Sequence, residues 1–426
     1  MHWNCLRVWG AAPRHIETPK RNKTHMGVFP SPGNTLASSR RVDRRCGRWV
    51  PVRCGGAWSH RSFFTSPPTM AEQYFDSDFG FEEHARECAA DFEDTLKIAL
   101  TDSVHATGSS DCDGDGDGDG DGDIDPKSKR QGVGPLHPSV QSGCWDAFHS
   151  SHSHGNFFKS RRYITKCFPC LLHQPSNTSR RRVILEIGCG SGSSCVPVLQ
   201  QLVSQHPDCG DAPPFALLAC DSSPVAVETT SRCVQEVTQT TTRVPPETLA
   251  RSFKAFVADP SMDSDVSLLD RTEEAYRQLA SSDTAFAGDN GGGGIADVIL
   301  CVFVLSAVDP AHAETFVRQL HQTTKPGGTV AFRDYGVFDL PMMRFPPKAF
   351  RSSAELDFDG RPPRLFCRGD GTLARFFHCE TVEKLFVEQA GFEVEELRYA
   401  TVFNVNRKTK QTMKRVFVHG AFRKPI

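Results

Sequence analysis

The chain has 426 residues, a formal net charge of −2 and 38% hydrophobic residues, a low share for a compact protein of this length. Part of the chain is therefore expected to lie outside any core. No run approaches the roughly 18 apolar residues of a membrane-spanning helix, which argues against a membrane protein. The 16 cysteines are irregularly spaced and follow no secretory signal, which indicates reduced thiols rather than a disulfide framework.

The first third of the chain is expected to contribute little to a fold. Residues 1–69 are basic and rich in Ser and Pro, as in an organellar transit peptide or in an extension upstream of the true start. Residues 70–134 combine an acidic stretch, Tyr74–Leu96, which predicts one helix, with an Asp/Gly repeat that predicts a disordered linker. The repeat lacks the closing Glu of a calcium loop. The folded domain is expected to span residues 135–426. The cytoplasm is the expected compartment, or the mitochondrion if the leader is a transit peptide.

Strands and helices alternate along the predicted domain. The predicted strands are Val183–Ile187, Phe215–Cys220, Ala255–Val257, Val298–Phe303 and Thr329–Phe332, and the predicted helices are Ser193–Gln205, Ser223–Val237, His312–Thr323 and Val382–Gln389. Two late segments, Phe392–Phe403 and Lys414–Phe422, predict an antiparallel pair. The pattern predicts a doubly wound α/β fold, with a mostly parallel sheet, helices on both faces and an antiparallel C-terminal edge. Asp283–Gly294 predicts a Gly-rich surface insertion.

One cysteine pair has the spacing of a zinc site. Cys167 and Cys170 are separated by two residues, and His173 follows as a possible third ligand. A structural zinc ion needs four ligands, usually from two such pairs, and no second pair follows. No metal is therefore expected.

The strongest motif is a glycine-rich turn directly after the first predicted strand. Gly188, Gly190 and Gly192 stand at alternate positions, and a helix follows. Glycine allows the backbone to turn sharply and to approach a ligand, and the N-terminus of a helix favours a negative group. Taken alone, the turn fits a methyl donor, a dinucleotide or merely a tight turn.

Three later features narrow this choice. Asp221 ends the second strand, where a carboxylate can accept the ribose hydroxyls of a nucleotide, and Asp259 follows the third strand near an expected adenine site. Lys325–Gly328 forms a Pro-Gly-Gly turn before the fifth strand. The GxGxG spacing differs from the GxGxxG of dinucleotide sites. Together these features predict a class I, Rossmann-like methyltransferase that uses S-adenosyl-L-methionine.

Several unusual strings carry more specific information. They are Trp145-Asp146, Asn156-Phe-Phe-Lys159 with Arg161, Phe303-Val-Leu-Ser-Ala307, Phe332-Arg-Asp-Tyr-Gly336, Arg368-Gly-Asp-Gly-Thr372 and Met413-Lys-Arg-Val416. In these strings the chain, from about Ser142 to Pro425, resembles the tRNA 3-methylcytidine methyltransferases. The resemblance implies methyl transfer to N3 of an unpaired cytosine in a tRNA anticodon loop. It implies tRNA as a partner, without DNA or a membrane, and for some relatives a tRNA-selecting protein such as an aminoacyl-tRNA synthetase.

The resemblance also implies which residues bind the cofactor. They are Trp145, His149, Gly188, Gly190, Asp221, Asp259, Pro260 and Val302. His149 stands where the family usually has Tyr.

Basic residues are grouped beyond the fifth strand and fit contacts with phosphates. With the resemblance, they predict the RNA-binding residues Lys159, Arg161, Arg333, Tyr335, Arg344, Arg368, Asp370, Arg407 and Arg415. Phe366, Phe376 and Phe377 lie between them and are expected to stack on unpaired bases. The alternative is a solvated basic face over ordinary core aromatics.

Asp334 is the candidate catalytic residue. It follows the fifth strand, on the rim where ligands bind in such sheets, and a carboxylate there would stabilise the cationic product base. The alternative role for Asp334 is an ion pair with a neighbouring Arg. Two other functions stay open: a methyltransferase that acts on a small molecule or a protein, and an RNA-binding subunit without activity.

Overall fold

The computed structural model describes residues 76–105, 136–152, 158–173, 181–206, 213–240, 251–279, 293–351, 356–406 and 409–426. The predicted basic leader, the Asp/Gly repeat and nearly all of the Gly-rich insertion lie outside the described residues. Among the described residues, no helix has both the length and the apolar composition that crossing a membrane requires.

The described elements alternate as predicted. The helices are α1 (Phe81–His105), α2 (Pro138–Ser151), α3 (Ile164–Cys167), α4 (Cys195–Gln205), α5 (Pro224–Thr240), α6 (Leu268–Leu279), α7 (Ala313–Thr323), α8 (Leu340–Arg344) and α9 (Cys379–Glu383), which continues as a π-helix over Lys384–Gln389. The strands are β1 (Arg182–Ile187), β2 (Phe215–Asp221), β3 (Phe253–Val257), β4 (Ala296–Val302), β5 (Thr324–Tyr335), β6 (Arg364–Cys367), β7 (Leu373–Phe376), β8 (Glu393–Val405) and β9 (Thr412–Arg423).

Seven of these strands form one sheet in the order β3-β2-β1-β4-β5-β9-β8. Strands β1 to β5 pair in parallel, whereas β9 runs antiparallel between β5 and β8. Their carboxyl ends therefore meet at one edge, as Ile187 beside Cys220 and Cys301 illustrates. The predicted doubly wound fold and its antiparallel C-terminal edge are confirmed.

Helices cover both faces of the sheet because side chains alternate along each buried strand. Ile184 of β1 packs on the face covered by α3, α4 and α5, while its neighbours Val183 and Leu185 pack on the face covered by α6, α7 and α9. All six residues of β1 are buried. This two-sided burial explains why the strand reads as a continuous apolar run.

Packed structure begins well before residue 135. The predicted helix over Tyr74–Leu96 begins only at Phe81, because residues 76–78 run beside β8: Thr401 donates its N–H to the Asp76 carbonyl at 2.7 Å and accepts from the Asp78 N–H at 2.8 Å. Phe92 of α1 is buried in a cluster with Phe366. The acidic segment is therefore packed on the sheet edge.

Several elements were not predicted, among them the helices α2, α3, α6 and α8 and the hairpin β6–β7. Helix α2 begins at Pro138 after the cap His137 and carries few apolar residues, so its periodicity is weak. Helix α6 is mostly polar on its outer side. The hairpin β6–β7 pairs only four residues a strand, from Arg364 with Phe376 to Cys367 with Leu373. Such short strands give little alternation to recognise.

Candidate functional site

The glycine-rich turn lies at the carboxyl end of β1. Gly188 and Gly190 have φ values of +64° and +54°, which disfavour a side chain. A Cβ atom at Gly188 would lie 2.6 Å from Cγ2 of Val304, so the turn has no space for one. The turn therefore packs directly against Val304, just after β4, and leads into α4.

Asp221 ends β2 beside this turn. Its carboxylate is 8% exposed and accepts hydrogen bonds from the N–H of Gly190 at 2.9 Å and of Ser223 at 3.0 Å. Burial raises the pKa of Asp221, and the two backbone hydrogen bonds oppose that rise. Each carboxylate oxygen keeps a second acceptor site, which suits the hydroxyl groups of a ribose.

Helix α2 covers the turn and the end of β2. The Ser142 hydroxyl donates to the Ser222 carbonyl at 3.1 Å, and Asp146 accepts from the Ser223 hydroxyl at 2.7 Å. His149 lies over Gly190, where a Cβ atom would be 3.6 Å from the His149 ring. Burial lowers the pKa of His149, which favours the neutral ring. Trp145 is half-buried on the same helix.

A pocket of about 210 Å³ opens beside Asp221, between α2 and the end of β3. Its apolar wall includes Val257, Met262 and Val266, and Asp259 lines it with Ser142 and Ser222. Asp259 accepts hydrogen bonds from Ser261 through one oxygen. Arg271 and Gln319 also line the pocket, so its lining is polar and apolar in about equal parts, which suits a flat base with polar edges.

The residues present fit S-adenosyl-L-methionine. The hydroxyl of Ser191, in the glycine-rich turn, is buried and has no hydrogen-bond partner among the described residues. A carboxylate at the N-terminal end of α4 would provide that partner. Together with the Asp221 acceptors and the pocket beside Asp259, the site offers matching groups for the methionine, ribose and adenine parts of the cofactor.

The structure places the eight predicted cofactor residues around this one site. Trp145 and His149 lie on α2, Gly188 and Gly190 form the turn, and the remaining residues follow or end their strands: Asp221, Asp259, Pro260 and Val302. Their direct contact with the cofactor stays a prediction. The sequence analysis did not identify Ser191, Ser142 and Met262, because serine and methionine at single positions carry no motif.

An aromatic rim lies next to the glycine-rich turn, at the ends of β4 and β5. Phe303 directly follows Val302, and its φ of +60° is strained for a residue with a large side chain. Its ring stacks on Tyr335 at 4.9 Å, and the Arg161 guanidinium lies 5.1 Å from its centre. Arg161 also donates to the hydroxyls of Ser193 and Ser194. The rim is therefore held to the start of α4.

Asp334 lies underneath this rim and is fully buried. It accepts hydrogen bonds from the N–H of Ser306 at 2.9 Å and of Tyr335 at 2.8 Å. Burial raises its pKa to about 6, and these hydrogen bonds oppose the rise. In this conformation the carboxylate holds the turn after β4 and does not reach a substrate, so its predicted catalytic contact requires that turn to move.

Two predicted RNA-binding arginines, Arg333 and Arg415, are paired with buried carboxylates. Arg333 is 1% exposed and pairs with Asp76 at 3.2 Å, so its guanidinium is enclosed and cannot contact a phosphate in this conformation. Arg415 forms two hydrogen bonds with the buried Asp339, at 2.7 and 2.9 Å. Both side chains were read as RNA contacts because sequence shows a charge but not its partner.

Other predicted RNA-binding residues are accessible. Lys159 and Arg344 are exposed, and Arg368 and Asp370 lie on the turn between β6 and β7. Arg407 lies outside the described residues. The stacking role expected for three aromatics is wrong, since Phe366, Phe376 and Phe377 are at most 2% exposed and pack in the core. The alternative of ordinary core aromatics holds for them.

Known proteins resemble this chain over 66% of its length. A family model described as a methyltransferase domain matches residues 161–397. A tRNA N(3)-cytidine methyltransferase of Rattus norvegicus is 31% identical over 281 residues, which cover 66% of this chain and 78% of that protein. A tRNA N(3)-methylcytidine methyltransferase of Drosophila melanogaster is 28% identical over 284 residues, covering 66% of this chain and 71% of that protein.

A yeast relative, the tRNA(Thr) (cytosine(32)-N(3))-methyltransferase of Saccharomyces cerevisiae, is 28% identical over 285 residues, which cover 66% of this chain and 36% of that protein. A solved methyltransferase from Anabaena variabilis is 12% identical, covers 70% of this chain and 100% of that chain, and has a TM-score of 0.40, too low to bear on function. The family model and the rat relative show that the chain belongs to the tRNA N(3)-cytidine methyltransferase family of methyltransferases.

Proposed function

We propose that the protein transfers a methyl group from S-adenosyl-L-methionine to N3 of an unpaired cytosine in a tRNA anticodon loop. The observation that carries the proposal is the match along 66% of the chain to relatives named for this reaction, together with the built site at the strand ends. The yeast relative is named for cytosine 32 of tRNA(Thr), which supports the choice of a loop cytosine.

The cofactor would be held by the groups already described. The glycine-rich turn and Ser191 would hold the methionine part, Asp221 the ribose and the pocket beside Asp259 the adenine. When bound, S-adenosyl-L-methionine supplies an electrophilic methyl group. Asp221 is already fixed by two backbone N–H groups, so it needs no reorganisation to receive the ribose hydroxyls.

The reaction depends on the positioning of the cytosine and the methyl donor rather than on proton transfer to a side chain. N3 of neutral cytosine carries a lone pair and no proton, so no side chain has to act as a general base. Phe303 and Tyr335 provide an apolar rim between Val302 and the Gly188 turn, where they exclude water from the reacting atoms. Because N3 lies on the Watson–Crick edge, the cytosine must be unpaired to reach this rim.

Accessible cations near the rim would hold the RNA backbone. Lys159 and Arg344 are exposed, and Arg368 is partly exposed on the β6–β7 turn. Contacts of this kind make RNA affinity fall with salt, by roughly one unit of the log–log slope for each phosphate contact. A methyltransferase for small molecules would show no such dependence.

The test is to incubate the purified full chain with labelled S-adenosyl-L-methionine and total unmodified tRNA, then to digest the RNA and identify the labelled nucleoside. We expect labelled 3-methylcytidine, and none with a tRNA whose loop cytosine is replaced by uridine. Asp221→Asn serves as the variant with impaired cofactor binding. Cofactor binding without label in any nucleoside, both for the purified chain alone and after an aminoacyl-tRNA synthetase is added, would contradict the proposal.

We propose the cytoplasm as the compartment, with the mitochondrion as the alternative if residues 1–69 act as a transit peptide. A tRNA-selecting protein such as an aminoacyl-tRNA synthetase also stays a prediction for this chain. Efficient methylation of tRNA by the purified chain alone would show that no second protein is required.

A further inference from the structure

Helix α2 contacts the cofactor site along one stripe of its surface. Ser142, Asp146 and His149 are spaced by four and three residues, so they lie on one side of the helix. Ser142 and Asp146 bond to the residues after Asp221, and His149 lies over the glycine-rich turn. The position of α2 therefore decides how completely that site is covered.

A second stripe of the same helix contacts the turn between β6 and β7. Gln141 donates from its side-chain amide to the Gly371 carbonyl at 3.3 Å, and its side-chain oxygen accepts from the Leu373 N–H at 3.3 Å. Gln141 is 6% exposed. Cys144, one helical turn further along, lies so close to Gly371 that a Cβ atom there would be 3.0 Å from its sulfur.

The β6–β7 turn is internally braced. Asp370 accepts hydrogen bonds from the N–H and hydroxyl of Thr372 at 3.0 and 2.7 Å, and the Arg368 guanidinium donates to the Thr372 hydroxyl at 3.2 Å. Gly369 and Asp370 are exposed. These hydrogen bonds favour one conformation of the turn. A ligand that binds the exposed residues would therefore also fix the positions of the Gly371 carbonyl and the Leu373 N–H.

We propose that Gln141 is a positioning residue that couples RNA binding at the Arg368–Thr372 turn to cofactor binding under α2. The proposal rests on the proposed function, because it takes this turn as part of the tRNA-binding surface. RNA held on the turn fixes the partners of Gln141, and Gln141 then holds α2 closed over Asp221 and the glycine-rich turn. Cofactor bound under α2 fixes the turn in the same way.

Such coupling has a thermodynamic signature. If RNA raises the affinity for the cofactor by some factor, the cofactor must raise the affinity for RNA by the same factor. Allosteric couplings typically lie between about 5-fold and 150-fold. Because one side chain with two hydrogen bonds carries the connection, we expect a factor of about 5 to 10, near the lower end of that range.

The experiment measures the affinity of the full chain for S-adenosylhomocysteine by calorimetry, with and without a saturating anticodon stem-loop RNA that carries a loop cytosine. S-adenosylhomocysteine is used because it cannot transfer a methyl group. The wild-type protein should bind it about 5 to 10 times more tightly with RNA present. In Gln141→Met, which keeps the length of the side chain, the factor should fall to within about twofold of one.

Two further variants guard against a loss of folding. Gly371→Ala changes the partner of Gln141 instead of Gln141 itself. The φ of +83° at Gly371 and the nearby Cys144 sulfur disfavour a side chain there, so this variant should also abolish the coupling. Gln200→Leu changes an exposed glutamine of α4 and should leave the factor unchanged. Thermal unfolding and affinity without RNA show whether each variant is folded.

The outcomes separate this proposal from the proposed function. A coupling factor that survives in folded Gln141→Met, or a wild-type factor of one with RNA bound, overturns the role of Gln141 while tRNA methylation stands. If the wild-type chain neither binds the stem-loop nor forms 3-methylcytidine in tRNA, the proposed function fails and the coupling fails with it. The proposal is supported only if the coupling factor is lost in both Gln141→Met and Gly371→Ala and is kept in Gln200→Leu.

Discussion

The two halves of the seven-stranded sheet use their charged residues differently. At the ends of β1 to β3, Asp259 lines a pocket, Asp221 lies beside the glycine-rich turn, and both carboxylates keep acceptor sites for a ligand. At the antiparallel edge, charged residues neutralise one another inside the protein: the pairs are Arg333 and Arg398 with Asp76, Arg415 with Asp339, and, beside the edge, Arg375 with Asp357. A carboxylate at the end of a parallel strand is thus a better guide to function here than a cluster of arginines.

The two halves differ because their polar and charged groups have different partners available within the protein. Parallel strand ends leave a crevice in which polar groups have no protein partner, so ligands bind there. The antiparallel edge instead receives the segment around Asp76 and the β6–β7 hairpin, whose contact with the sheet encloses several charges. An enclosed arginine needs a carboxylate partner, whether or not RNA binds nearby.

The largest effect is expected from breaking the pair at the edge. The double variant Arg333→Met with Arg398→Met leaves Asp76 buried without either of its two arginine partners, and leaving one charge of a buried pair unpaired costs about 3 to 5 kcal/mol. The free energy of unfolding in denaturant checks this value. Arg344→Met, at an exposed arginine of the same basic block, should leave stability within about 0.5 kcal/mol. Loss of RNA affinity without loss of stability in the double variant would reverse the comparison.

The next effect tests the cofactor half. Asp221→Asn keeps the shape of the side chain but directs an amide group toward the N–H of either Gly190 or Ser223. Losing charge-assisted hydrogen bonds at this point should weaken cofactor binding by about 100-fold, which corresponds to about 2.7 kcal/mol. Calorimetric titration with S-adenosylhomocysteine measures it. Asp263→Asn, an exposed position after β3, is the matched control, and an equal loss there would show that overall charge matters instead.

A smaller effect is expected from Asp334, which lies between the two halves. Its folded-state pKa of about 6 exceeds the ordinary 3.8 because of burial, so the folded protein holds a proton that the unfolded chain releases. Stability from this group is therefore present below about pH 4 and is lost as pH rises through about 6.

Asp334→Asn should remove this loss between pH 4 and 6, because the amide does not titrate; its NH2 group faces the N–H of either Ser306 or Tyr335, which lowers stability equally at both pH values. Unfolding free energies measured at a series of pH values compare the variant with the wild type. Turnover measured on the same samples decides the predicted catalytic role. A fall of more than about 100-fold, with stability and cofactor affinity as expected, would establish that role.

The sequence predicted the parallel strands and the place of the glycine-rich turn well, because both depend on local patterns. Buried strands such as Val183–Ile187 read as apolar runs, and glycines with positive φ follow the first strand directly. Gly188 follows β1 and Asp221 ends β2, and a doubly wound sheet brings the carboxyl ends of such parallel strands together. Only the order of the strands in the sheet, which decides where these ends lie, required the structure.

The edge could not be predicted in the same way, because its contacts join residues far apart in the chain. Arg333 and Asp76 are 257 positions apart, and no local pattern indicates that they meet. Helix α2 carries polar residues on two stripes because it packs between two sites, so it lacks an apolar face. Gln141 was missed for the same reason: its partners belong to a hairpin 230 and 232 positions away.

The short run of residues 76–78 has a consequence for association between molecules. Strand β8 is the last strand of the sheet, and its outer backbone groups near Thr401 are paired only with this run among the described residues. A chain shortened past Gly80 would expose those N–H and C=O groups to solvent. Open strand edges of this kind are templates for pairing with another copy, so the run also protects the protein from edge-to-edge aggregation.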